Sequence, residues 1–91
     1  MNKEEIKTLK KGDYLIIYYG AETTKLVLKL LKKYKSDYDY PLYSCYVIDC
    51  NENIWSGVKI RKRKIFNNFN DADMKFATRY KTKSDLMVEL L

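Results

Sequence analysis

The residues best suited to chemistry here are basic and aromatic. Arg61, Lys62, Arg63 and Lys64 stand in a row, with Trp55 and Lys59 just before them. Lys75, Arg79 and Lys81 follow on a second segment. Cationic side chains attract phosphate, and arginine grips it bidentately where lysine acts as a point charge. Aromatic rings stack on exposed bases, as in single-strand binding. These residues are therefore the expected contacts to RNA or single-stranded DNA.

Catalytic chemistry is poorly served. The chain has no histidine, so it has no imidazole base and no histidine triad. Two cysteines alone do not make a zinc site of the usual kind. Gly12, Gly20 and Gly57 match no phosphate-cradling loop. The paired carboxylates, Asp37/Asp39 and Asp71/Asp73, read as solvated loop acids and as caps of helices or turns. No enzyme activity, cofactor or metal is expected.

Charge is segregated along the chain. Residues 23–35, 54–66 and 74–83 hold fourteen of the 18 basic residues and no acid, whereas 36–53 hold four acids and no base. Were the three basic segments neighbouring strands, their outward faces would merge into one positive surface of the kind phosphate backbones seek. Lysine outnumbers arginine 15 to 3, and Lys, Asn, Ile and Tyr are all encoded by AT-rich codons. Part of the net +6 charge therefore reflects coding bias. Arginine escapes that discount, so Arg61 and Arg63 carry most weight. The plainer alternative is a merely solvated basic face.

A second surface is the loop holding Tyr38, Tyr40, Leu42 and Tyr43. Its tyrosine-rich composition is one that protein interfaces favour.

These side chains need elements to position them. Ninety-one residues make one domain, 1–91, and the 46% hydrophobic share is that of a globular chain. No apolar run approaches the ~18 residues that span a bilayer, and the charged start lacks a signal-peptide core. A cytoplasmic protein away from membranes is expected.

Asn2 and Glu5 form a capping-box pair that predicts a helix over 3–11, closed by Gly12. Residues 14–19 are β-branched and aromatic throughout, which predicts a strand apolar on both faces. In residues 23–34, Leu26, Leu30 and Tyr34 repeat as on a helix, while Leu26, Leu28 and Leu30 alternate as in a strand. Periodicity alone leaves such a run open; the leading Thr-Thr and the neighbouring strands favour a strand. A loop over 36–44 gives way to a strand over 43–50, a three-residue turn at 51–53 and a return strand over 54–61 with Ile54, Val58 and Ile60 inward.

Cys45 and Cys50, five apart on one extended strand, are expected on opposite faces as two reduced thiols. Alternation breaks at residues 62–64, which predicts a bulge or bend, with Ile65 and Phe66 returning to the core in shifted phase. Residues 67–73 read as loop. Met74, Phe76, Thr78 and Tyr80 alternate with polar or small neighbours as the inward face of a last strand, and Ser84 caps a helix over 85–91.

The whole is mainly β with minor α: a small SH3-like barrel or a curled antiparallel sheet of four or five strands, with short terminal helices. The run Lys11-Gly12-Asp13-Tyr14-Leu15-Ile16-Ile17-Tyr18, the Lys-rich strand after it and the hairpin over 50–60 resemble an SH3-like barrel of the Tudor or KOW kind over residues 11–81. That resemblance implies binding, often of nucleic acid or peptide, rather than catalysis. The compact, histidine-free, Lys- and Tyr-rich chain also resembles accessory proteins of AT-rich phages, which implies the alternative of an inhibitor that blocks a host or defence protein in the host cytoplasm.

Overall fold

The structure, a computed structural model, describes residues 1–19, 24–50, 54–55 and 58–90; the side chains of residues 19, 24, 54, 55, 58, 59 and 90 lie outside the description. In chain order the elements are α1 (Lys3–Lys7), β1 (Tyr14–Tyr19), β2 (Thr24–Lys35), β3 (Pro41–Cys50), β4 (Ile54–Trp55), β5 (Val58–Lys59), β6 (Ile65–Asn70), α2 (Asp71–Lys75), β7 (Ala77–Tyr80) and α3 (Lys83–Leu90). Five strands form one antiparallel sheet in the order β6-β3-β2-β1-β7, and β4 pairs with β5 in a separate two-stranded one. The sheet stays open rather than closing into a barrel, which corrects the SH3-like expectation: β6 and β7 are opposite edges.

The ambiguous run is a strand because both its sides are paired. β2 lies between β1 and β3, and Leu26, Leu28 and Leu30 are buried on one face while Val27 is buried on the other. Tertiary pairing outweighs the helical spacing of Leu26, Leu30 and Tyr34. β1 is likewise buried on both faces through Leu15, Ile16 and Ile17.

The inner face carries the larger core, built from Leu15, Ile17, Leu28, Leu30, Val47 and Phe69, with α1 and α2 laid over it through Ile6 and Met74 and Leu9 following α1 into it. The outer face carries a smaller cluster of Ile16 and Val27 under Leu86 of α3, flanked by Tyr14, Ile48 and Tyr80. Among the described residues no helix is long and apolar enough to cross a membrane.

Helix α1 starts as its capping box predicts: Glu5 N–H donates to Asn2 Oδ1 at 2.8 Å, and Asn2 N–H donates to Glu5 Oε1 at 3.2 Å. It ends at Lys7 rather than 11, with Thr8 as C-cap. Gly12 takes φ +95°, a conformation open to glycine, and its N–H donates to Leu30 O at 2.8 Å. That turn delivers Asp13 to the start of β1, where it is buried.

Several expectations fail for one reason: a bulge or short helix resets the alternation. Two residues of β3, Ile48 and Asp49, occupy the outer face where one would be expected, because the register steps from Val27↔Asp49 to Leu28↔Val47. Cys45 and Cys50 therefore share the inner core instead of facing opposite ways; both are free thiols. Residues 67–73, expected as loop, are the end of β6 and the start of α2. A second capping box, Asn70 with Asp73, starts α2 at 2.9 and 3.0 Å. Phe76 is the C-cap of α2, so β7 enters the sheet one residue out of phase. Ala77 is buried inward, whereas Phe76 is 58% exposed.

Ile65 pairs with Tyr46 on the outer face and is 56% exposed, while Phe66 packs on the inner core as expected. β4 and β5, within the expected return strand, pair with each other rather than with β3, and of the expected inward set only the Ile60 side chain is described, fully buried. The turn expected at 51–53 lies outside the described residues. Thr82, not Ser84, caps α3, its Oγ1 accepting from Asp85 N–H at 3.1 Å.

Burial gives a pH signature. The Cys45 thiol is pushed up to about 12 from 9.0 by burial, and Tyr43 is raised above 10.0 by burial and then by its hydrogen bond to Asp71. Both keep their protons in the folded state at pH values where the unfolded chain loses them. Stability therefore falls as pH rises above about 9, by at most ~1.4 kcal/mol per pH unit for each group. Urea midpoints should drop between pH 8 and pH 10.5, and Cys45→Val should flatten the first part of that decline.

Candidate nucleic-acid interface

The basic turn 61–64 is held by the sheet. Arg63 N–H donates to Val47 O at 2.8 Å, and Val47 N–H donates to Lys64 O at 2.9 Å, while buried Ile60 roots the turn from the preceding side. The break predicted at residues 62–64 is thus a backbone turn, with Arg63 at φ 63°. Arg61, Lys62, Arg63 and Lys64 are all exposed. Lys62 Nζ lies 2.9 Å from Asp49 Oδ1. This contact holds the Asp49 carboxyl below its usual range, and the charge of Lys25 adds to it. Whatever small stability the pair contributes is present above the ordinary carboxylate pKa and lost as pH falls through the lowered value.

The turn opens onto the outer face of the sheet. Registers place Ile65, Tyr46, Lys29, Tyr14 and Tyr80 in one row across all five strands. Directly opposed residues share a face at ~4.8 Å strand spacing, so the row is about 19 Å long. Lys25 sits beside Tyr18 in the same orientation, and past the Leu31 bulge Lys32 and Tyr34 return to it. Lys29 Nζ lies 5.7 Å from the Tyr14 ring centre and Lys32 Nζ 5.8 Å from that of Tyr34. Tyr34 is steadied at its hydroxyl, which donates to Asn67 O. Helix α3 covers Ile16 and Val27 through Leu86 and brings Glu89 near Tyr80, so the open part of the row centres on Tyr46 and Lys29.

The resting lysine–ring contacts do not forbid base stacking. An exposed cation–π contact is worth ~0.5–1 kcal/mol, while base–aromatic stacking is worth ~1–3 kcal/mol. A base that takes the ring face frees the ammonium for phosphate.

The remaining sequence-derived contacts are dispersed. The side chains of Trp55 and Lys59 lie outside the described residues. Lys75 ends α2 on the inner side of the sheet, and Lys81 follows β7 at the edge opposite β6. Arg79 turns inward: its NH2 lies 3.0 Å from buried Asp13 Oδ2 and 3.1 Å from Thr8 O, and its NH1 donates to Thr8 Oγ1. The three basic segments are not neighbouring strands, since β1 separates β2 from β7 and β3 separates β2 from β6. Of the tyrosine-rich loop, Tyr38 is 86% and Tyr40 48% exposed, whereas Leu42 is half-buried and Tyr43 is core.

Sequence reasoning missed Tyr14, Tyr34, Tyr46, Lys25, Lys29 and Lys32 as one surface. The two-residue alternation of Lys25, Val27 and Lys29 was a signal for it, but only strand register brings the tyrosines alongside. Among the described residues no three metal-ligating side chains gather. Comparison with protein-family models, with curated proteins and with solved structures finds no match for the chain.

Proposed function

We propose that the protein is a non-enzymatic basic binding module of the cytoplasm that contacts RNA or single-stranded DNA across the outer face of its sheet. The observation that carries the reading is the cross-strand row of Tyr46, Lys29 and Tyr14 beside the exposed turn 61–64. Stacking rings among cations is the arrangement by which sheet surfaces hold unpaired nucleotides. Lys25, Lys29, Lys32 and the turn supply the backbone charge.

The test is fluorescence anisotropy with labelled ten-nucleotide oligo-U and oligo-dT at low salt. Tyr46→Leu should weaken binding about tenfold, the loss of one stacked base. Lys29→Gln with Lys32→Gln should weaken it and flatten its salt dependence. Unchanged affinity in both variants, with melting temperatures preserved, would sink the proposal.

A second reading, an inhibitor that covers a host or defence protein, is favoured by the exposure of Tyr38 and Tyr40. A stoichiometric protein partner retained through nuclease and high salt would select it.

A further inference from the structure

A groove of about 570 Å³ lies on the inner side of the molecule, away from the proposed nucleic-acid face, where α1 and α2 meet the ends of β2 and β3. Its floor is Ile6, Pro41 and Tyr43, and its margin carries Lys3, Lys7, Lys33 and Lys75. The single acid in its lining, Asp71, accepts a hydrogen bond from Tyr43 Oη at 2.6 Å. Four ammonium groups and one engaged carboxylate leave the groove strongly positive.

The lysines are unequally committed. Lys33 Nζ donates to Leu9 O at 2.8 Å and to Lys7 O at 3.4 Å, tying the end of α1 to β2. Lys7 lies 3.7 Å from Glu4 in a contact open to water on both sides and therefore weak. Lys3 and Lys75 have no acidic partner among the described residues.

Two features distinguish this groove from the nucleic-acid face. It has no arginine, and its one aromatic, Tyr43, is buried in the core rather than offered as a stacking surface. Its floor is concave and apolar, which suits a side chain better than a base. Tyr40, which precedes Pro41 in the chain, is exposed, and tyrosine is favoured at protein contacts.

We propose that this groove docks an acidic segment of a partner protein, with one apolar side chain on Ile6 and Pro41 and flanking carboxylates facing Lys3, Lys7 and Lys75. Charge complementarity selects the acidic partner, and the apolar floor selects a peptide over a bare polyanion. The inference stands independently of the nucleic-acid reading, because the two surfaces share no residue.

The experiment uses the full chain and a fluorescein-labelled peptide, Gly-Asp-Glu-Phe-Leu-Glu-Asp-amide, at 50 mM salt. Saturable binding should appear in anisotropy, and amide shifts in nitrogen-15 NMR spectra should cluster on Lys3, Ile6, Lys7, Lys33 and Asp71. The double variant Lys3→Ala/Lys75→Ala should weaken binding at least fivefold, and so should replacing Phe-Leu of the peptide by Ser-Ser. The proposal is overturned by any of four results: no binding, shifts spread over the surface or centred on Tyr46, equal affinity for the Ser-Ser peptide, or full displacement by oligo-dT. The NMR map needs no variant, so a misfolded double variant does not rescue the idea.

Discussion

Arg79→Ala is expected to unfold the protein at room temperature or close to it. The Arg79 side chain is 15% and that of Asp13 3% exposed, and their 3.0 Å contact joins β7 to the turn that enters β1. Removing one partner of a buried ion pair typically costs ~3–5 kcal/mol, because the other charge is left without water. A chain this size is expected to have a net stability of only ~3–5 kcal/mol. The loss also frees Thr8, which holds both terminal nitrogens of Arg79. Urea denaturation followed by far-ultraviolet circular dichroism measures the effect.

The double variant Asp13→Leu/Arg79→Met should recover most of the lost stability. The native pair is itself imperfect: Arg79 Nε is buried without a hydrogen-bond partner among the described residues, and such a group is worth ~1–3 kcal/mol of penalty. Should Arg79→Ala melt like the wild type and lose only oligonucleotide binding, Arg79 is a contact residue and the structural role assigned to it is wrong.

Arg61→Ala/Arg63→Gly should do the opposite, leaving the fold intact and weakening nucleic-acid binding. Arg63 is one of two non-glycine residues at positive φ among the described residues. A non-glycine side chain in that region costs ~1–2 kcal/mol. Glycine relieves that cost and keeps the N–H that binds Val47 O, so the melting temperature should stay level or rise. Losing two phosphate contacts should lower the slope of log affinity against log salt by about 1.4, at ~0.7 per phosphate for a single strand. At low salt the affinity should fall about tenfold or more. Lys62→Ala should matter less, because Lys62 is already engaged with Asp49. A double variant that binds as tightly as wild type with the same salt slope would remove the turn from the interface.

The fold places the three arginines of the chain very differently. Arg61, Arg63 and Arg79 look alike in sequence, three arginines each with a lysine within two residues. The first two end up on an exposed turn and the third in a buried pair. The difference comes from α2. Five residues of helix at 71–75 shift the phase of the next strand, so the residues expected outward at 77 and 79 point in. Its start, Asn70 to Asp73, has the spacing of a capping box, but with Asp where Glu or Gln is usual, and in a run of Asn and Asp that reads equally well as a turn.

Local features were legible because their causes are local. The strand over 14–19, the capping box at Asn2 and Glu5 and the break at residues 62–64 depend on side chains within a few positions of one another. The strand character of β2 was open in the local pattern and is fixed by its pairing with β1 and β3. What the tertiary structure alone decided was which residues lie side by side. The open order β6-β3-β2-β1-β7 selects the antiparallel sheet over the barrel, the two arrangements expected, and it separates the basic segments. The bulge at Ile48 and Asp49 turns both cysteines to one core, and the register across five strands sets Tyr46, Lys29 and Tyr14 in a row. A single inserted residue or helical turn reverses the facing of every residue after it, and it is chosen by what the whole sheet can bury. The composition therefore announced a basic, tyrosine-rich surface, while long-range pairing determined which lysines and tyrosines compose it.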